Sequence, residues 1–257
     1  MTERSLVDCR RGRHNRAVML ALFMTLSMLV PGATVVPPGS TASTPASRRA
    51  VSAPHAPAAA GPVTAAQGRV HAARKTVALT FDDGPHPRYT PQVLNLLRKY
   101  HVKATFCIVG DNAARYPKLV RRIRAEGHRL CNHTRSHANM ARLSNSAARR
   151  QITKAQQQIR AAAGVSPTVF RFPYGSSSAR VRAIVRSCGL RNLGWTVDTR
   201  DWERPSARTI TARVLRGARP GAVVLMHDGG GNRSHTVASL DSTIRQLQRK
   251  GYTFVLG

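Results

Sequence analysis

Residues 76–85 read Thr-Val-Ala-Leu-Thr-Phe-Asp-Asp-Gly-Pro, a short apolar run that stops at two adjacent acids. The run is typical of a buried strand. Side chains on a strand alternate between its two faces, so Asp82 and Asp83 can serve one site only if the backbone turns there, and Gly84-Pro85 permits that turn. Two carboxylates at a strand end suit a division of labour in which one binds a metal and the other moves protons. A solvated Asp-Asp-Gly turn is the alternative interpretation of this stretch alone.

Similar apolar runs recur from about position 75 and alternate with stretches typical of helices. The predicted strands are 76–81, 103–109, 128–131, 168–172, 191–197, 221–226 and 252–256, and the predicted helices lie near 90–100, 112–126, 145–163, 179–188, 207–217 and 236–250. Strands that alternate with helices imply a mostly parallel sheet. We therefore predict an α/β fold, a distorted (β/α) barrel with about seven parallel strands in a single domain. A doubly wound open sheet is the alternative.

The N-terminal part of the chain has a different composition. An apolar run at 17–30 follows Arg10, Arg11, Arg13 and Arg16, and Pro, Ala, Ser, Thr and Gly then dominate. This layout predicts a signal peptide or N-terminal membrane anchor at 1–36 and a flexible linker at 37–74, ahead of one domain at 75–257. We expect a secreted or cell-wall-associated protein, with an uncleaved membrane anchor as the alternative.

The chain is strongly basic, with 41 Lys and Arg, 11 Asp and Glu, and a net charge of +30. Such a surface favours polyanions: nucleic acid, acidic wall polymers or anionic lipid. Scattered arginines can also arise from composition alone, and no nucleic-acid motif is present, so we predict no specific nucleic-acid partner. Acids are scarce enough to be informative. Five of the nine that follow position 68 lie in the polar clusters described below: Asp82, Asp83, Asp198, Asp201 and Asp228.

Three cysteines fall in the predicted domain: Cys107, Cys131 and Cys188. An odd number in an exported chain predicts one disulfide and one buried thiol, although spacing does not determine the pairing. Cys107 and Cys131 lie on successive predicted strands and are the expected pair. Because no CxxC occurs, a cysteine metal site is disfavoured.

Two histidines follow the third predicted strand in the sequence His133-Thr-Arg-Ser-His137. Imidazoles four residues apart on one helical turn project from the same face and can bind one ion. Most such pairs bind nothing, but a carboxylate from another strand end would complete a site of two imidazoles and one carboxylate. Zinc is the default ion for these ligands, with cobalt or another divalent metal as the alternative.

Three more polar clusters follow later strands. They are Arg171-Phe-Pro-Tyr174-Gly175 after the fourth, Asp198-Thr-Arg-Asp201-Trp202 after the fifth, and Leu225-Met-His227-Asp228 at the end of the sixth. Arginine can hold a carboxylate in a fixed orientation, and a histidine near an acid can be tuned toward general acid work. Carboxyl ends of parallel barrel strands share one face, where active sites are built. The five clusters together therefore predict one site.

These clusters resemble the motifs of the polysaccharide deacetylase family, carbohydrate esterase family 4, which is defined by the NodB-homology domain. The resemblance covers roughly residues 75–257, and the matching motifs are Thr80–Pro85, His133–His137, Arg171–Gly175, Asp198–Trp202 and Leu225–His227. It implies metal-dependent hydrolysis of acetyl groups on a carbohydrate, with Asp83, His133 and His137 as the metal ligands.

The resemblance also implies roles for the remaining residues. Asp82 would be the general base, and Arg171 would orient it. His227 would protonate the leaving amine, with Asp201 tuning its pKa and Asp198 in support. The backbone N–H of Tyr174 would help to stabilise the oxyanion, and Trp202 and Leu225 would line the acetyl pocket.

We expect an N-deacetylase that acts on N-acetylglucosamine in peptidoglycan, chitin or chitooligosaccharides. An O-acetyl esterase on acetylxylan and a catalytically inactive glycan-binding module are the alternatives. The partners expected are the acetylated glycan and an anionic cell wall, with no obligate protein partner.

Overall fold

The structure, a computed structural model, describes residues 75–257. The predicted signal or anchor at 1–36 and the linker at 37–74 lie outside the described residues. No helix within 75–257 is long and apolar enough to cross a membrane.

Eight short strands alternate with seven α-helices in the described residues. The strands are β1 (Thr76–Asp82), β2 (Thr105–Ile108), β3 (Arg129–Asn132), β4 (Val169–Phe170), β5 (Arg191–Asn192), β6 (Val197–Asp198), β7 (Ala222–His227) and β8 (Thr253–Phe254). The helices are α1 (Tyr89–Lys99), α2 (Gly110–Arg115), α3 (Pro117–Ala125), α4 (Asn145–Ala163), α5 (Ala179–Ser187), α6 (Ala207–Gly217) and α7 (Ser234–Arg249).

All strand pairs in the described sheet are parallel. The order is β5-β4-β3-β2-β1-β7-β6, and β8 pairs with the first residues of β1. No pairing within residues 75–257 joins β5 to β6, so the barrel is incomplete on that side. The α/β fold predicted as a distorted (β/α) barrel in a single domain is confirmed.

Strand β1 lies inside the sheet between β2 and β7, and its last six residues are buried. In a parallel barrel, one face of each strand packs against the surrounding helices and the other lies in the barrel interior, which explains why this strand is a continuous apolar run. Phe81 stacks on Phe106 of β2 with ring centroids 5.3 Å apart, in the main core cluster. The register places Asp82 beside Cys107 on one edge and His227 on the other.

Two predicted elements are wrong because each is divided in two. The predicted helix at 112–126 is α2 and α3, separated where Tyr116 leaves helical geometry and Pro117 begins the next helix. The predicted strand at 191–197 is β5 and β6. Between them the carbonyls of Leu193 and Gly194 accept hydrogen bonds from the Arg171 side chain.

The expected disulfide between Cys107 and Cys131 is not formed. Both residues are buried free thiols on β2 and β3, and their Sγ atoms lie 2.9 Å apart. They are register neighbours in a small apolar cluster with Val169 and Leu193. The two thiols therefore meet by hydrogen bonding and packing beneath the carboxyl end of the sheet.

Candidate active site

The five polar clusters meet around one cavity at the carboxyl ends of the strands. The cavity has a volume of about 450 Å³ and is lined by Asp82, Asp83, His133, His137, Phe172, Tyr174, Gly175, Trp195, Asp198, Trp202, Leu225 and His227. The other two predicted site residues, Arg171 and Asp201, are almost completely buried and bind residues of this lining. All ten residues proposed for the site therefore belong to one cavity or to the layer that holds it.

Asp83, His133 and His137 form a cluster of possible metal ligands. One donor atom from each lies within 4.8 Å of the other two. Asp83 Oδ1 is 3.4 Å from His133 Nε2 and 3.1 Å from His137 Nε2. It is buried and has no hydrogen-bond partner among residues 75–257, as expected of an oxygen that faces a cation. Two imidazoles and one carboxylate form a donor set that fits a divalent metal ion.

Backbone geometry points these ligands at one another. Asp83 and His137 have φ angles of 72° and 57°, in a region that non-glycine residues rarely adopt. The Nδ1 atom of His133 lies 2.9 Å from the Arg171 carbonyl, which leaves Nε2 to face the cluster. Burial raises the pKa of Asp83, but the two neighbouring imidazoles lower it more, so the pKa of this carboxyl lies well below its usual range.

Asp82 is held by a buried arginine. Arg171 Nη1 lies 2.8 Å from Asp82 Oδ1 and 2.7 Å from Thr80 Oγ1, and the Arg171 side chain is fully buried. Asp82 Oδ2 lies 3.7 Å from His133 Nε2. Since the guanidinium neutralises and orients one carboxylate oxygen, the other remains available to accept a proton at the cavity.

His227 is anchored from behind by Asp201. The distance from His227 Nδ1 to Asp201 Oδ1 is 2.6 Å, and the His227 backbone N–H donates to Asp201 Oδ2 at 2.8 Å. Thr236 donates to the same oxygen at 2.7 Å. Burial lowers the pKa of His227, but the hydrogen bond and charge of Asp201 outweigh it and raise the pKa above its ordinary value. This arrangement favours an imidazolium that can donate a proton from Nε2.

Aromatic and aliphatic side chains form the rest of the cavity wall. Leu225 is buried, whereas Trp202 and Tyr174 are 49% and 70% exposed. Tyr174 has a φ of 59° within the 3₁₀ turn Pro173–Gly175, and its ring meets that of His137 edge-on at 4.5 Å. The wall is thus apolar at its base and open at its rim.

Sequence reasoning assigned no role to Trp195 or Asp228. Trp195 lines the cavity and contacts Gly175, where an added Cβ would lie 2.8 Å from its ring. It is one of only two tryptophans in the chain and lies just before the end of a predicted strand. This position was the signal in the sequence that could have indicated a place in the site. Asp228 is buried directly after His227, and burial together with the charges of Asp83 and Asp82 raises its pKa to about 7.

Curated relatives match this domain. The family model described as polysaccharide deacetylase matches residues 69–193. A peptidoglycan-N-acetylglucosamine deacetylase of Bacillus cereus is 42% identical over 70% of this chain, and the match covers 66% of that relative. A chitooligosaccharide deacetylase of a Bradyrhizobium species is 40% identical over 69% of this chain and 87% of its own length. The match therefore spans just under two thirds of the first relative and most of the second.

Solved structures match as well. A peptidoglycan N-acetylglucosamine deacetylase superposes with a TM-score of 0.69 at 40% identity, over 71% of this chain and 86% of that one. A protein of Bacillus anthracis described as a pseudoenzyme of carbohydrate esterase family 4 superposes with a TM-score of 0.67 at 34% identity, over 71% and 64%. From the shared fold, the site and these matches, we conclude that this chain belongs to the polysaccharide deacetylase family.

Proposed function

We propose that the protein is a metal-dependent N-deacetylase that hydrolyses the acetamido groups of N-acetylglucosamine units in peptidoglycan, chitin or chitooligosaccharides. The observation that carries the proposal is the placement of three differently tuned groups around one cavity: a ligand cluster, a carboxylate paired with arginine and an imidazole paired with a carboxylate. A family that includes a described pseudoenzyme shows that fold alone does not establish activity. In this chain the complete set of polar groups supports catalytic activity.

Each group has a part in amide hydrolysis. A divalent metal held by Asp83, His133 and His137 would supply Lewis-acid polarisation of the acetyl carbonyl. Asp82 takes a proton from the attacking water as the new C–O bond forms. His227 gives a proton to the nitrogen as the C–N bond breaks, which yields acetate and a free amine.

The rest of the site serves this reaction. The backbone N–H of Tyr174 supports the developing oxyanion, while Leu225 and Trp202 enclose the acetyl methyl group. Arg171 orients Asp82, and Asp201 favours the protonated form of His227 and fixes the orientation of its ring. Zinc suits the two imidazoles and one carboxylate, with cobalt or another divalent metal as the alternative.

The proposal extends to location. The basic N-terminal segment followed by an apolar run supports export of the protein. The exported protein is then secreted, associated with the cell wall or held by an uncleaved anchor. The excess of Lys and Arg supports contact with an anionic cell wall.

Acetate release from chitooligosaccharide, peptidoglycan and acetylxylan, measured with and without a chelator, tests the proposed function. We expect release from one or both N-acetylated substrates, loss with the chelator and recovery with added Zn²⁺. Asp82→Asn should lower turnover by about 10²- to 10⁴-fold. Asp241→Asn on α7 is the matched control, because Asp241 lies at the surface beside Lys99.

The other outcomes identify the alternatives. Release from acetylxylan alone indicates an O-acetyl esterase. Glycan binding without any release indicates an inactive binding module. Unchanged turnover of the Asp82→Asn variant shows that Asp82 is not the base.

A further inference from the structure

Asp228 is a buried carboxyl group that the proposed reaction does not use. It follows His227 at the end of β7, its side chain is fully buried, and it does not line the cavity. Its Oδ1 atom has no hydrogen-bond partner within residues 75–257. Because an unpaired buried acceptor is destabilising, the filling of space alone does not explain a carboxyl group at this position.

Its remaining contacts connect it to the segment that carries the metal ligand Asp83. Thr90 Oγ1 donates to Asp228 Oδ2 at 2.5 Å and accepts from the His86 backbone N–H at 2.7 Å. The Asp228 backbone N–H donates to the Asp82 carbonyl at 3.1 Å. Asp228, the residue directly after β7, is thereby tied both to the end of β1 and to the start of α1, on either side of the turn at Asp83-Gly84.

The carboxyl group also packs directly against this turn. A Cβ added to Gly84 would lie 2.4 Å from both carboxylate oxygens of Asp228. The loop that follows Asp228 is equally close, because a Cβ on Gly229 would lie 2.2 Å from the Asp83 carbonyl oxygen and one on Gly230 would lie 2.3 Å from Asp83 Oδ2. The segment that follows β7 therefore packs closely against Asp83 and Gly84.

Asp83 needs such support. Its φ of 72° is unfavourable for a residue with a Cβ, and such a backbone conformation persists only where the surrounding structure enforces it. On the side of α2, Asn112 Nδ2 donates to the Asp83 carbonyl at 2.9 Å and the Val109 N–H donates to the Gly84 carbonyl at 3.0 Å. On the side of β7, the support is Asp228 and the glycines after it.

We propose that Asp228 is a positioning residue for the metal site. Its carboxyl group, held by Thr90, fixes the Asp82–Gly84 turn in the conformation that directs Asp83 toward the two imidazoles. An apolar side chain of similar size would fill the space but could not accept the hydrogen bond from Thr90. The kinetic part of this proposal rests on the proposed function, whereas its metal-binding part does not.

Zn²⁺ affinity of the full chain, measured by competition with a chromophoric chelator, tests the proposal directly. Loss of groups that support metal ligands typically weakens metal binding by about 10- to 100-fold, and we expect a loss in this range for Asp228→Ala. Thr90→Val should weaken binding in the same direction. Asp228→Asn keeps the shape and an acceptor for Thr90, so its affinity should lie closer to that of the unmutated chain than to that of Asp228→Ala.

Thr211→Val is the matched control. Thr211 is also a buried threonine with side-chain hydrogen bonds, but it lies on α6 and bonds to Ser239 and Thr243 of α7. The Thr211→Val variant should be less stable than the unmutated chain but should bind Zn²⁺ with the same affinity. In the active enzyme, Asp228→Ala should lower kcat and leave KM for the glycan nearly unchanged, because the substrate-binding wall is not altered.

Two results would overturn the proposal. One is a folded Asp228→Ala or Thr90→Val variant that binds Zn²⁺ as tightly as the unmutated chain. The other is an Asp228→Asn variant whose Zn²⁺ affinity is as low as that of Asp228→Ala, because the charge of Asp228 and not its position would then be what matters. If the unmutated chain binds Zn²⁺, Asp228→Ala binds it at least about 10-fold more weakly, and no glycan releases acetate, the proposed function fails while the positioning role stands.

Discussion

Arg171 is a fully buried arginine whose hydrogen bonds connect three parts of the sheet. Its guanidinium donates to Asp82 and Thr80 on β1 and to the carbonyls of Leu193 and Gly194 after β5. A buried ion pair is weak evidence for stability as a whole, but removal of one partner leaves the other charge buried and uncompensated. The same side chain therefore orients the proposed base and holds the irregular end of β5.

Arg171→Met should lower the free energy of unfolding by about 3–5 kcal/mol, as measured by urea denaturation. Adding Asp82→Asn to this variant should recover part of the loss, because the unpaired carboxylate is then removed as well. Equal stability of the single and double variants would show that the buried charge is not the cause.

The pairing of His227 with Asp201 predicts a shift in the pH dependence of turnover. The pKa of His227 is raised, so its protonated form persists above the ordinary pKa of histidine, and activity that needs this form falls as pH rises through the raised value. Asp201→Asn removes the carboxylate that raises it. The alkaline limb of the kcat profile should therefore move to lower pH. Glu203→Gln, which alters an exposed carboxylate bound to Arg200, should leave the limb in place.

Three of the seven helices in the described domain begin at serine caps. Ser144, Ser178 and Ser206 each accept a hydrogen bond from a backbone N–H in the first turn of the following helix. Helix α4 also ends at Gly164, which has a φ of 75°. Such signals are local, because the side chain and the orphan N–H groups it satisfies are only a few residues apart. They explain why the boundaries predicted for α4 and α6 match the structure residue for residue.

Ser206→Ala should lower the free energy of unfolding by about 1 kcal/mol, because it removes the acceptor for the Thr209 N–H at 3.1 Å. Ser206→Asp retains an acceptor and places a negative charge at the positive end of α6, so it should be at least as stable as the serine. Chemical denaturation of the two variants measures the difference. The cap has no role if they unfold at the same denaturant concentration.

Charge is distributed unevenly over the whole molecule. Residues 75–257 hold 32 Lys and Arg and nine Asp and Glu, and no acid occurs between Glu126 and Asp198. This acid-free segment includes β3, β4 and β5 at one edge of the sheet, together with α4 and α5. Its arginines are therefore mostly uncompensated, and one side of the domain is expected to attract anionic polymers.

Salt should weaken the reaction with an anionic wall more than the reaction with a neutral oligosaccharide. Exposed charges are screened over about 10 Å at 0.1 M salt, whereas the buried site is screened much less. KM for wall fragments should rise with NaCl more steeply than KM for chitooligosaccharide. Arg150→Glu with Arg186→Glu should reduce this difference, and Arg249→Glu on α7 should affect it less. Parallel salt dependence for the two substrates would exclude a role for the basic side.

Local patterns were enough for the alternation of strands and helices, the parallel sheet and the position of each polar cluster at a strand end. Apolar runs, caps and turn residues act within a few positions of the chain, and parallel strands necessarily bring their carboxyl ends to one edge. The resemblance of the clusters to one family added the roles proposed for Asp82, Asp83 and the other site residues.

Contacts between distant segments decided the rest. Strands β5 and β6 are separate because Arg171, about twenty residues earlier, takes the carbonyls between them. Trp195 reaches the cavity wall, and Cys107 and Cys131 meet as thiols, through packing that spacing does not specify. Asp228 supports the turn at Asp83 from the far end of the domain sequence, across strands that become neighbours only in the folded sheet. The sequence shows that Asp82 and Asp83 are adjacent, but the residues that give them different surroundings come together only in the folded structure.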